Sequence, residues 1–379
     1  MAESQVSVRV VQGRRDLQTF IHLPARIHRG HKEWMPPLYM DEKVYFDPEK
    51  NKAFSYCDTI LFLAYKNGQP RGRIMGIIHH PYNAEHQEKT VRFMHLDCYD
   101  EPDVCQALLL AVERWGMEKG MTRCVGPFGF SDKDPQGLLV EGFDKMPIMV
   151  TMCNYAYLPK LVEANNYVKL VDCLDYMIDI QQNIPEVYAK IFERVRQNKQ
   201  FKLVEFNKTR ELKPYIVPVF ELINRTYAAI YGFSALDEEE MHELAERYLP
   251  VLDPRFLKVV LDENGALIAF MLGMPNMTKG IQRARGHLFP IGFVFILYDA
   301  KTTTQLDLLL GAIDERYRGR GLDILMGYSM IESARNAGIK TFETNMVLET
   351  NLPMRAEYER LGAQICKRFR IFQKELAVS

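Results

Sequence analysis

The chain has no apolar run long enough to cross a bilayer. Its longest, residues 287–298, is about a dozen residues and is interrupted by Pro290 and Gly292. It also lacks a dominant charge: 48 lysines and arginines stand against 49 aspartates and glutamates, a formal net charge of −1. No global field marks a nucleic-acid binder, so any basic function must be a local patch. Seven cysteines, at 57, 98, 105, 124, 153, 173 and 366, form no Cys-x-x-Cys or Cys/His cluster. That argues for reduced thiols inside a cell and against a disulfide framework or structural zinc. His79, His80, His86 and His95 lack helical His-x-x-x-His spacing, so no metal site is expected. Residues 1–5 carry no charged and apolar leader pattern, and a cytoplasmic protein is expected.

What is present is an ordinary globular balance, 47% hydrophobic and 26% charged over 379 residues, enough for two or three domains. Periodicity predicts a strand at 7–11, a helix at 16–28, and a hairpin of 59–65 with 72–79 about Asn67-Gly68. A strand at 91–98, a helix at 103–119, a strand at 122–125, a helix at 154–164 and a strand at 168–178 follow. The order then recurs: a strand at 201–206, helices at 212–230 and 238–248, and a hairpin of 257–261 with 266–272. We read an internal duplication with its junction near 180–195, giving halves 1–185 and 186–379 in an α/β fold with a mixed sheet. No low-complexity linker separates them, so a large shared interface is expected.

The most informative stretch is Arg316-Tyr317-Arg318-Gly319-Arg320-Gly321, between an apolar strand at 304–313 and a helix at 322–337. Leu325, Tyr328, Ile331 and Ala334 fall on one stripe of that helix. Gly319 and Gly321 let the backbone approach a ligand, successive N–H groups at a helix start suit a phosphate, and Arg316, Arg318 and Arg320 add charged donors. A strand at 340–348 follows, then Asn351 capping a short helix with Pro353 in its first turn and Gly362 at its close.

Taken together, R-x-x-G-x-G, helix, strand and N-x-x-M-x-x-x-Y-x-x-x-G over residues 304–373 resemble the acyl-CoA-binding half of the GNAT (Gcn5-related N-acetyltransferase) superfamily. The resemblance implies two GNAT-like domains in tandem and a donor, acetyl-CoA or a longer acyl-CoA, bound as co-substrate without a metal. It implies that the strand ending at Ile313 and the strand starting near Lys340 splay apart, so that backbone N–H groups of Gly311, Ala312 and Ile313 polarise the thioester carbonyl. An amine then attacks directly. Tyr358 matches the residue that protonates the departing thiolate, a phenol of pKa about 10 being protonated at neutral pH. It reads equally as a core tyrosine on an apolar helix face, and Asn351 reads as a cap as well as a site residue. For a general base the candidates are Glu343, which alternation places on one face with Thr341 and Asn345, together with Asp307, Asn345 itself and His287.

The first half departs from the pattern. Asp97, Asp100, Glu101 and Asp103 stand where the phosphate turn would be, so no second donor site is expected there. Its loop 126–144 reads either as packing on the other half or as a wall of the acceptor cleft. Lys279, Arg283 and Arg285 are a solvated turn or, with Phe289, Phe293 and Phe295, an interfacial surface in peripheral contact with a membrane. GLLVEGFD, GHLFPIG and ERYRGRG followed by LETNLPM resemble a family of long bacterial GNAT-like proteins related to bacterial ceramide synthases. That implies a long-chain donor and a lipid amine acceptor, with run 287–298 lining the acyl site unless it is a buried strand pair or an interdomain contact. Otherwise the acceptor is a small-molecule amine, or the chain is a silent acyl-CoA sensor.

Overall fold

The computed structural model describes residues 5–182, 184–228 and 232–377. Residues 229 and 230, the end of the helix expected over 212–230, and residues 1–4 lie outside them.

In the first half the elements are β1 (Ser7–Val10), α1 (Gly13–Ile27), α2 (Tyr39–Tyr45), β2 (Cys57–Lys66), β3 (Gln69–His79), α3 (His80–Glu85), β4 (Thr90–Cys98), α4 (Pro102–Glu118), β5 (Arg123–Gly126), β6 (Leu138–Glu141), α5 (Tyr157–Ala164) and β7 (Val168–Asp179). The second half brings α6 (Glu186–Arg196), β8 (Phe201–Val204), α7 (Ile216–Thr226), α8 (Glu238–Tyr248), β9 (Leu257–Asp262), β10 (Leu267–Pro275), α9 (Thr278–Ala284) and α10 (Gly292–Thr302). It ends with β11 (Gln305–Ile313), α11 (Leu322–Asn336), β12 (Thr341–Thr344), β13 (Val347–Leu348), α12 (Leu352–Arg360) and β14 (Gln364–Glu375).

Among the described residues one 14-stranded sheet carries the chain, twelve strands in the order β1-β2-β3-β4-β5-β14-β7-β12-β11-β10-β9-β8, with β13 beside β7 and β6 beside β14 off this path. The last strands are exchanged: β14, from the second half, pairs with β5, whereas β7, from the first, pairs with β12. The two exchanged strands also pair with each other along Gln364–Gln373. Helices cover both faces. In the first half α1 packs Phe20, Leu23 and Ile27 on one face against Met75 and Ile77, while α4 packs Leu108 and Val112 on the other against Phe93 and Leu96. In the second half α7 packs Leu222 and Ile223 against Phe270, and α6 and α11 pack Phe192, Leu325 and Met326 behind Val260 and Ile268.

The run 287–298 is not a buried strand pair; its inner side is an interdomain contact, with Leu288, Phe295 and Ile296 in one cluster with Met35, Leu38 and Met149, and His287 against Tyr39. The run turns through Pro290 into helix α10, whose outer side stays exposed. The expected strand at 340–348 is broken, since Met346 adopts φ of 49° between β12 and β13. Among the described residues no helix is long and apolar enough to cross a membrane.

Candidate active site

β11 and β12 run parallel and pair from Gln305↔Thr341 to Leu308↔Thr344, then part. Beyond that point β11 pairs, among the described residues, only with β10, and a bulge at Leu309 shifts the register so that Leu272 faces Leu310 and Gly273 faces Leu308. The edge from 309 to 313 is therefore open toward the gap. Gly311 turns both main-chain groups into it: the Tyr227 hydroxyl, at the end of α7, donates to the Gly311 carbonyl at 2.9 Å, and the Gly311 N–H lies 3.4 Å from the same oxygen. Burial pushes the Tyr227 hydroxyl up to about 12, so it remains protonated and a donor. Ala312 packs toward α7 and Ile313 toward α6 and α11, which fixes the strand's orientation.

Tyr358, on α12, stands over the same gap. Its ring lies 5.5 Å from that of Tyr176, and burial, with Tyr227 and Tyr176 adding to it, raises its pKa above the ordinary phenol value. The structure thus brings together Tyr358 and the Gly311 edge. Tyr227 was missed by sequence reasoning, for a tyrosine closing an amphipathic helix carries no signal of its own. Asn351 is exposed and accepts from the Met354 N–H at 3.4 Å as the cap of α12.

At the other end of the gap, α11 begins at Gly321, which has φ of 81° and offers no side-chain cap to the first-turn N–H groups. A Cβ on Gly321 would lie 3.0 Å from Val195 and 3.2 Å from Ile191 of α6. Gly319 also has positive φ, 72°. The three arginines diverge. Arg316 is held by Asp314 at 3.0 and 2.8 Å, and that hydrogen bond draws Asp314 down to about 2. Arg318 pairs with Glu315 at 3.2 Å, and Arg320 sits 5.1 Å over the Tyr317 ring. Uncapped N–H groups at a helix start beside two positive-φ glycines fit a pyrophosphate.

Beneath the point where the strands part lies a buried polar cluster. Asp307 and Glu343 face one another across β11 and β12. The Gln305 amide donates to both, at 2.9 and 2.8 Å, and Asn276 donates to Asp307 at 2.9 Å. Lys367, on β14, is ion-paired with Glu343. Burial pushes Asp307 up to about 8 and Asp175 up to about 7, with the Glu343 charge adding to each. Burial would depress the Lys367 ammonium, yet Glu343 and Asp175 beside it hold its pKa above the ordinary lysine value. Glu343 is thus a buried, paired carboxylate. Among the described residues Asn345 leaves its side-chain oxygen buried without a partner, and His287 is exposed against Tyr39, away from the cluster.

A cleft of about 550 Å³ opens on this cluster, lined by Asn276, Gln305, Lys279, Arg283, Tyr298 and Met146 among others. Its size suits a small organic ligand or a headgroup. Loop 126–144 supplies β6, which pairs with β14, so its glycines serve packing: a Cβ on Gly142 would lie 2.3 Å from the Cys366 carbonyl oxygen. The turn in the first half that corresponds to Arg316–Gly321 is filled by its own ion pairs. Glu101 binds Arg71, and Lys66 reaches Asp103 at 2.7 Å.

The chain superposes over 99% of its length on the whole of a tandem GNAT protein from the clavulanic acid biosynthesis pathway, at a TM-score of 0.58 and 14% identity. The fold is that of a tandem GNAT protein. A GCN5-related N-acetyltransferase from Sphaerobacter thermophilus matches 98% of the chain and 96% of its own, at a TM-score of 0.53 and 11% identity. In sequence the chain is 27% identical over 384 residues to Protein YghO of Escherichia coli (strain K12), spanning 99% of this chain and 97% of that protein. It is 28% identical over 385 residues to the bacterial ceramide synthase of Caulobacter vibrioides (strain NA1000 / CB15N), spanning 98% of both. No protein-family model matches it. The parted strands β11 and β12 and the turn before α11 lie in the C-terminal half of the chain.

Proposed function

We propose that the chain is an acyl-CoA-dependent N-acyltransferase whose one donor site lies in residues 186–379. The observation that carries this is the parting of β11 from β12, with an uncapped helix start at one end and Tyr358 at the other. The α11 N–H groups and the turn 316–321 hold the pyrophosphate, while the edge at Gly311–Ile313 pairs with the thioester arm, which displaces the Tyr227 hydroxyl from Gly311, and polarises its carbonyl. Tyr358, kept protonated by burial, donates to the leaving thiolate. An amine entering over Asn276 and Gln305 meets Asp307, whose pKa of about 8 leaves a minor ionised fraction at neutral pH, growing as pH rises, and that carboxylate form accepts the proton. Glu343, fixed by Lys367 and Gln305, orients the pair.

The likeness to a bacterial ceramide synthase supports a long acyl chain and a lipid amine as acceptor. The chain acts at the cytoplasmic side of a membrane, its ion-paired first half binding no second donor. One observation favours a different reading, a silent acyl-CoA sensor: the Tyr227 hydroxyl already occupies both main-chain groups of Gly311. Acetyl-, octanoyl- and palmitoyl-CoA, each with a panel of amines that includes a sphingoid base, separate these readings. Transfer is expected to favour the longest chain, since each buried methylene contributes about 0.8 kcal/mol. Tyr358→Phe should keep donor affinity and lose roughly 10²-fold in turnover. Tight binding without transfer to any amine leaves the sensor.

A further inference from the structure

α9 and α10 form a helical hairpin that turns its apolar side outward. The two helices meet closely because Gly280 and Gly292 carry no side chain: a Cβ on Gly280 would lie 2.7 Å from the Ile296 Cα, and one on Gly292 3.0 Å from the Ala284 Cβ. Ile281, Ala284 and Ile296 fill the seam, and the Gly280 N–H donates to Asp299 at 2.8 Å. With the seam filled, Phe289, Ile291, Val294, Leu297 and Tyr298 remain 49–70% exposed. Among the described residues every exposed large aromatic side chain, Phe289, Phe293 and Tyr298, lies here. A soluble surface rarely gathers such a patch without a partner.

Charge names the partner. From 276 to 304 the cations Lys279, Arg283, Arg285 and Lys301 are exposed, while the one carboxylate, Asp299, is buried in the hairpin seam. A cationic, aromatic-rich hairpin on a chain of net charge −1 is complementary to an anionic lipid surface. We infer that the α9–α10 hairpin docks on a bilayer bearing anionic headgroups, its aromatic and aliphatic residues entering the acyl boundary. The cleft lined by Lys279, Arg283 and Tyr298 then opens at the headgroup level. A lipid amine reaches Asn276 and Gln305 from the bilayer without crossing bulk water. That last step rests on the N-acyltransferase reading, whereas docking does not.

Vesicle sedimentation of the full chain tests docking with no catalysis involved. Phosphatidylcholine vesicles are compared with vesicles containing about one third phosphatidylglycerol. The wild type is expected to bind the anionic vesicles at least about tenfold more tightly, and less as salt rises. The double variant Phe289→Glu, Val294→Glu, at exposed positions outside the cleft, is expected to lose that binding while unfolding thermally and binding CoA as before. Should the double variant misfold, Phe293→Trp in the otherwise wild-type chain gives a second readout: a blue shift on vesicle addition and quenching by brominated lipid. Unchanged binding in the double variant, no binding by the wild type, or emission from the Phe293→Trp chain that neither shifts nor is quenched overturns the inference. So does a concentration-dependent dimer abolished by the same substitutions, which assigns the face to a second copy of the chain. Loss of acyl transfer with intact vesicle binding would instead overturn only the enzymatic reading.

Discussion

Burial sets the chemistry of Asp307. A free aspartate titrates near 3.8, and this one is held up to about 8. Between those values the native state keeps a proton that the unfolded chain has released, so stability falls as pH rises through the window and the cost is constant above it. Asp307→Asn removes the titration and keeps an acceptor for Gln305 and Asn276. Calorimetry should therefore show the variant gaining on the parent from pH 5 to pH 8, by on the order of 1–3 kcal/mol, with the gain vanishing toward pH 4. Turnover should fall by roughly 10²-fold, as expected for loss of a general base. A stability difference independent of pH would mean that Asp307 is ionised throughout. Asp307 and Glu343 were legible as candidates, because alternation in apolar strands exposes misplaced carboxylates. Lys367, Asn276, Asp175 and Tyr227 were not, since they reach the site from other strands and helices and no local pattern links them.

Elements were legible where a period and a punctuating residue agree. The helix expected at 322–337 is α11, and the Asn67-Gly68 hairpin joins β2 to β3, because glycine at positive φ ends or turns a segment at a defined place. The apolar run 287–298 was not legible, for a short continuous run of Phe, Val, Ile and Leu has no period to tell helix from strand. At the turn before α11, the glycine argument separates local strain from ligand contact. Gly321 and Gly120 share φ of 81°, so valine at either position suffers the same backbone strain. Only at Gly321 does the new Cβ press on α6, at 3.0 and 3.2 Å, at the start of the helix proposed to hold the pyrophosphate; at Gly120 nothing among the described residues is within 4 Å. Titration calorimetry should show Gly321→Val losing CoA affinity at least about tenfold, whereas Gly120→Val loses stability alone. Equal affinity in both variants would move the donor away from this turn.

At the scale of the whole molecule, duplication was readable from the recurring order of elements, but the exchange of last strands was not. Two copies with similar strand patterns give β7 and β14 the same apparent choice of neighbour, and only the three-dimensional path decides it. The outcome is that β7 is buried between β14 and β12, with Leu174, Tyr176 and Phe369 almost fully enclosed at the junction. Cutting the chain at residue 185 would leave β5 without β14 and β12 without β7. Each fragment would then expose an unpaired edge and the apolar faces beside it. Fragments 1–185 and 186–379 are therefore expected not to fold when expressed apart, and to give a soluble, cooperatively unfolding complex when expressed together. The complex should bind CoA, because turn 316–321 and the gap between β11 and β12 are rebuilt only when β7 returns to the edge of β12. A cooperative thermal transition in fragment 186–379 alone, with CoA binding retained, would show instead that the second repeat is an independent domain and that the exchange is dispensable to the site.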